Sequence, residues 1–136
     1  MGDGKARVLS FRDLRVWQQA VSLAESVYKV TRDFPREEIY GLTSRMRRAA
    51  VSVASNIAEG NARQSRGEYL QFLGNARGSL AELYTQTILS ARLQLIDQAT
   101  ETKLLTEIDN VGRLLNALRS SIAKRPAKQS PSDSNP

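Results

Sequence analysis

The stretch from Arg45 to Gly60, Arg-Met-Arg-Arg-Ala-Ala-Val-Ser-Val-Ala-Ser-Asn-Ile-Ala-Glu-Gly, has three arginines at its start and almost nothing larger than valine after them. Its apolar residues recur at helical spacing, so it reads as a helix. A helix this poor in large side chains cannot hold a fold by bulk. It has to lie close to its neighbours, and it carries a cluster of cations into whatever it joins. That combination points to a packed, self-associating bundle that meets something anionic, and away from an active site.

The chain of 136 residues is one domain's worth, and 40% hydrophobic content suffices for a single core. Net charge is +6, which suits polyanions such as nucleic acid or an anionic surface. Most of the excess lies mid-chain. Residues 41–80 hold six Arg and two Glu, a balance of +4, whereas residues 97–124 hold four basic and four acidic residues. Cysteine and histidine are both absent, which removes disulfides, thiolate nucleophiles, imidazole acid–base chemistry and the usual zinc sites. No run approaches the roughly 18–20 apolar residues of a membrane span, and the polar start, Met1 to Ser10, lacks the apolar core of a signal peptide. A cytoplasmic location is expected.

Three segments are expected: a disordered leader at 1–9, a helical domain at 10–125, and a flexible tail rich in Pro and Ser at 126–136. The first helix is expected over Phe11–Asp33, with Ser10 and Asp13 as a capping-box-like start. Its stripe is Leu14, Trp17, Val21, Ala24, Tyr28 and Thr31, and Phe34-Pro35 ends it. The second begins between Glu37 and Thr43 and ends at Gly60, read as a left-handed C-terminal residue. It buries Leu42, Met46, Ala49, Ala50, Val53 and Ile57 and turns Arg45, Arg48, Ser52, Ser55 and Glu59 outward. Ser65-Arg66-Gly67-Glu68 is a capping box for a third helix reaching about Leu95. Its stripe runs through Tyr69, Phe72, Leu73, Ala76, Leu80, Leu83, Tyr84, Thr87, Ile88 and Ala91. Asp97 to Thr100 caps a fourth, with Leu104, Ile108, Val111, Leu115, Leu118 and Ile122 inward. Four amphipathic helices with short joints predict an all-α, antiparallel up-down-up-down four-helix bundle.

Catalytic constellations are missing. Di-iron bundles need Glu-x-x-His pairs, and the carboxylates here are scattered. Ser26-x-x-Lys29 and Ser121-x-x-Lys124 match a nucleophile pattern, but without companion motifs they read as helix-surface residues. No glycine loop cradles a phosphate. Neither an enzyme nor a cofactor nor a metal is expected.

The arginines are the better candidates. Arg45, Arg47 and Arg48 occupy one helical turn, Arg63 and Arg66 lie in the next loop, and Arg77 sits about three turns into the third helix. Cations at a helix start oppose its dipole by about 0.3–1 kcal/mol each, a cost that favours a role. In an antiparallel hairpin these residues would form a basic stripe of the kind that tracks a phosphate backbone. The other reading is a solvated face whose arginines pair with Glu of neighbouring helices or subunits. With the aromatics mainly on core stripes, a base-stacking platform is not expected. Small residues also have two readings. Gly74, Gly78, Ala81 and Thr85 on the third helix, and Val51, Ala54 and Ala58 on the second, either pack one bundle tightly or form an oligomer interface.

Several segments together carry a pattern: Phe11-Arg12-Asp13-Leu14-Arg15-Val16-Trp17, Phe34-Pro35-x-Glu37-Glu38-x-Tyr40-Gly41-Leu42, Arg47 through Gly60, and Gly78-Ser79-Leu80-x-Glu82-Leu83. Over about residues 11–120 the chain resembles the four-helix-bundle proteins encoded in 23S rRNA intervening sequences, a family related to the accessory variability determinant proteins of diversity-generating retroelements. The resemblance implies a homopentamer of bundles around a channel. It also implies, for the retroelement relatives, nucleic-acid binding and a reverse transcriptase partner. Its motif residues here are Arg47, Arg48, Asn56, Glu59, Gly60 and Glu82.

The expected function is therefore a non-enzymatic oligomeric bundle that binds RNA or DNA electrostatically through Arg45, Arg47, Arg48, Arg63 and Arg66, with little sequence preference. Val51, Ala54, Ala58, Gly74 and Gly78 are the candidate interface. The alternative is a structural or adaptor ring whose basic face docks a neighbouring subunit or a partner such as a reverse transcriptase.

Overall fold

A computed structural model describes residues 10–126. It holds four long helices: α1 (Arg15–Thr31), α2 (Leu42–Asn61), α3 (Arg66–Arg92) and α4 (Gln98–Ala123). Each packs on its sequence neighbour and α4 closes back on α1, so the expected four-helix bundle is the observed one. The expected leader at 1–9 and all but Pro126 of the expected tail lie outside the described residues.

The start of the chain differs from expectation. Phe11–Asp13 is a single 3-10 turn capped by the Ser10 hydroxyl, which accepts from Arg12 N at 3.1 Å, and α1 proper begins only at Arg15. Its buried residues are Val16, Ala20, Leu23, Val27 and Thr31. The stripe is thus rotated by about one residue from the one expected, and Tyr28 and Val21 sit at its edge. The predicted stripes of α2 and α4 are the observed core, with Leu118 half-buried. On α3, Tyr84 is exposed and Gln86 and Ser90 are buried in place of the outer apolar residues. Three of the four tyrosines, Tyr28, Tyr40 and Tyr84, reach solvent, contrary to the core placement expected of the aromatics.

Helix ends have local causes. The turn before α2 lets Glu38 Oε1 accept from Leu42 N at 3.1 Å, placing a carboxylate at the dipole's positive end. Gly41 permits this, because a Cβ there would stand 2.8 Å from that same oxygen. Ser65 caps α3 by accepting from Glu68 N at 3.1 Å, and Asp97 caps α4 by accepting from Thr100 N at 2.8 Å. The hydrogen bonds from Thr100 hold the Asp97 carboxyl below its ordinary value. At the end of α3, Leu95 N bonds Ser90 O and Gln94 N bonds Ala91 O, a Schellman closure with Gln94 at φ 64°.

Gly60 is not the left-handed terminator the sequence suggested. No glycine among the described residues has positive φ, and α2 runs through Gly60 to Asn61. Its reason is close approach: a Cβ would meet Phe72 Cβ at 2.9 Å and Tyr69 Cδ1 at 3.0 Å on α3.

Candidate polar site between α2 and α3

The three arginines at the start of α2 diverge. One residue advances the helix by 100°, so Arg47 and Arg48 leave it in different directions. Arg47 turns toward α1. Its Nε donates to Thr31 Oγ1 at 2.8 Å, its Nη2 to Tyr28 O at 3.5 Å, and its guanidinium lies 4.6 Å from the centre of the Tyr28 ring. Thr31 is buried and itself donates to Val27 O at 2.8 Å. Arg47 is therefore committed to joining α1 and α2, and it is not part of a shared basic patch with Arg45 and Arg48.

Arg45 and Arg48 instead line a pocket of about 280 Å³ with Ala49, Ser52, Ser79 and Glu82, between α2 and α3. Neither arginine makes an ion pair among the described residues, where the one salt bridge joins Arg63 and Glu59 at 3.0 Å. Beneath them is a chain of hydrogen bonds. Asn56 Nδ2 donates to Ser52 O at 2.9 Å and to Ser52 Oγ at 3.0 Å, and Ser52 Oγ lies 2.8 Å from Ser79 Oγ. Glu82, which lines the pocket from α3 as Ser79 does, accepts at Oε2 from Gln86 Nε2 at 3.3 Å. The motif residues Arg48, Asn56 and Glu82 thus converge with Ser52 and Ser79, two residues that residue types alone did not single out. Ser79 belongs to the Gly78-Ser79 motif, and its distance in sequence from Ser52 hid the contact.

The other candidates lie elsewhere. Arg63 and Arg66 are at the opposite end of the hairpin, around a smaller pocket with Asn61, Tyr69 and Arg125. Arg63 stacks over the Phe72 ring at 4.7 Å, and Arg66 donates to the Arg125 carbonyl. Arg125 joins this end although the sequence gave it no role. About 18 residues of helix, roughly 27 Å, separate Arg45 from Arg63. Arg77 does not bridge the gap, because it lines a groove on the α4 side of α3 while Ser79 and Glu82 face α2. The predicted continuous stripe is thus two separate basic sites. Glu59 serves one of them as the partner of Arg63.

The small-residue flanks also separate. Val51 is exposed beside Val21, Ala24 and Tyr28 of α1, with Ala54 and Ala58 half-buried on the same helix. Gly74 and Gly78 lie on α3, and a Cβ at either would meet nothing within 4 Å. Tight packing inside one bundle therefore does not account for these two glycines. Among the described residues no helix is long and apolar enough to cross a membrane, and no His, Cys, Asp or Glu cluster is arranged to hold a metal.

The comparisons agree with this architecture. The family described as 23S rRNA-intervening sequence protein matches residues 12–117. A protein with unknown function from the S23 ribosomal protein family of Bacteroides thetaiotaomicron, whose crystal structure was solved at 1.70 Å, superposes with a TM-score of 0.69. The match covers 76% of this chain and 97% of that one at 19% identity, which shows a shared fold. No curated protein matches significantly. Neither description names a catalytic activity. With its bundle and with most of its length matched, this chain belongs to the 23S rRNA-intervening sequence protein family.

Proposed function

We propose that the protein is a cytoplasmic, non-enzymatic, self-associating bundle that binds nucleic acid through phosphate contacts. The observation that carries this is the pocket of Arg45 and Arg48, two cations that share a polar cleft and pair with no carboxylate among the described residues. The cluster of Arg63, Arg66 and Arg125 at the other end of the same hairpin supplies a second contact region. Arg47 is outside the binding set, because its guanidinium is turned to Thr31 and Tyr28 of α1. Contacts of this kind are insensitive to sequence and release counterions.

Binding of a labelled single-stranded oligonucleotide tests this. With these five arginines engaged, log affinity for a single strand should fall against log salt with a slope of about −3.5. Affinity that stays flat from low to moderate salt contradicts the electrostatic reading. Replacing Arg45 and Arg48 together by Ala should lower affinity and shallow the slope.

A second reading, a ring that serves as a structural or adaptor assembly, is favoured by the exposed apolar residues on two faces, Val51 beside α1 and Leu89 on α3. The pentamer and the reverse transcriptase partner implied by the resemblance belong to this reading. Under it, charge reversal at Arg48 breaks the assembly and nucleic acid binds no better to the native protein than to the variant.

A further inference from the structure

The α2–α3 pocket has a polarity, with two arginines supplied by α2 and a carboxylate by α3. A backbone carbonyl only accepts, so the Asn56 atom that bonds Ser52 O is its NH2 group, whose second proton goes to Ser52 Oγ. Ser52 Oγ and Ser79 Oγ lie 2.8 Å apart, and either hydroxyl can donate to the other. Whichever of them donates, the other keeps its proton for the cleft that both hydroxyls line. Two guanidinium groups from α2 and one of these two hydroxyls donate into this space.

Glu82 of α3 adds an acceptor to the same space. Glu82 Oε2 accepts from Nε2 of Gln86 at 3.3 Å, and Gln86 is buried among the helices. It lines the same cleft as both arginines without closing an ion pair on either. A bare oxyanion would satisfy the arginines and the serine hydroxyl but leave Glu82 beside negative charge. A ligand that complements all of these groups needs an oxyanion and, a few ångströms from it, a hydroxyl that donates.

The ribose phosphate unit of RNA has this pair of groups, and DNA lacks the hydroxyl. We infer that the pocket of Arg45, Arg48, Ser52, Ser79 and Glu82 takes one ribose phosphate of an RNA strand, the phosphate on the arginines and the serine hydroxyl and the 2′-hydroxyl donating to Glu82. This rests on the nucleic-acid reading above and adds to it a preference for RNA. The cleft of about 280 Å³ has room for one such unit.

Matched single strands of RNA and DNA, both carrying uracil, test it at one fixed salt concentration by fluorescence anisotropy. RNA should bind about tenfold tighter than DNA, the worth of one hydrogen bond to a charged group. RNA methylated at every 2′-oxygen should fall to the DNA value, an arm that needs no variant. Glu82→Ala, at an exposed position, should erase the preference while DNA affinity holds or rises. Arg48→Ala should weaken both strands together.

Equal binding of RNA and DNA with a steep salt slope overturns this inference and leaves the electrostatic reading standing. Failure of both strands to bind overturns both. Displacement of the RNA by micromolar uridine 3′-monophosphate assigns the pocket to a free nucleotide and overturns the polymer assignment. Loss of self-association in Arg48→Ala, with RNA binding intact, assigns the arginine to a neighbouring subunit and also overturns it.

Discussion

Arg47 and Arg48 are adjacent in the chain and have opposite occupations. Arg47 bonds buried Thr31 and covers Tyr28, whereas Arg48 is exposed and lines a polar cleft without an ion pair among the described residues. Arg47→Ala should therefore cost about 1–3 kcal/mol of stability, since it removes a charged donor from a buried hydroxyl and a cation from an aromatic face. Urea unfolding measures this, and the salt slope of nucleic-acid binding should not change. Arg48→Ala should leave the urea midpoint within error while binding falls. Equal loss of stability in the two variants would show that both arginines are structural. Helical spacing set Arg45 and Arg48 on one outward face apart from Arg47, but not what each would meet. Their roles depend on what Thr31, Tyr28, Ser79 and Glu82 bring from other helices.

At the scale of elements, the glycines separate close approach from open surface. Gly60 meets α3 so closely that an added methyl would stand 2.9 Å from Phe72 Cβ. Gly60→Ala should destabilise by about 1–3 kcal/mol through overpacking, despite the better helix propensity of alanine. Gly78 has nothing within 4 Å of an added Cβ. Gly78→Ala should therefore stabilise the isolated subunit by up to about 1 kcal/mol. Thermal or urea unfolding of both variants checks the opposite signs, and a loss of stability at Gly78 in the dissociated subunit would contradict the open placement. Helix identity, joints and the α2 and α4 stripes were legible because they depend on local spacing and capping. The α1 stripe was not. The 3-10 turn at Phe11–Asp13 delays the helix start, and with so many moderately apolar residues a rotation by one position leaves the pattern almost as good.

For the whole molecule, the order of packing around the bundle puts the face between α1 and α2 opposite the face between α3 and α4. The first carries exposed Val51 and Tyr28, and Tyr84 of the second adjoins a groove with exposed Leu89 on the outer side of α3. Association of unlike faces is heterologous, and it closes into a ring when the rotation permits. Light scattering should give a mass that is a multiple of 15.1 kDa. Val51→Asp and Leu89→Asp should each yield a monomer, while a mixture of the two should form a dimer through the one intact pair of faces. A Leu89→Asp protein that still dimerises alone would indicate a two-fold contact through the other face. The amino-acid sequence by itself determined the helices, most of their buried stripes and the excess of arginine around α2, because period, capping and charge are properties of neighbouring residues. Only the tertiary structure decided that Gly60 serves a helix contact, that Arg47 turns to α1, and that Arg48, Ser52, Ser79 and Glu82 share one cleft. Those facts depend on residues far apart in the chain, and packing alone brings them together.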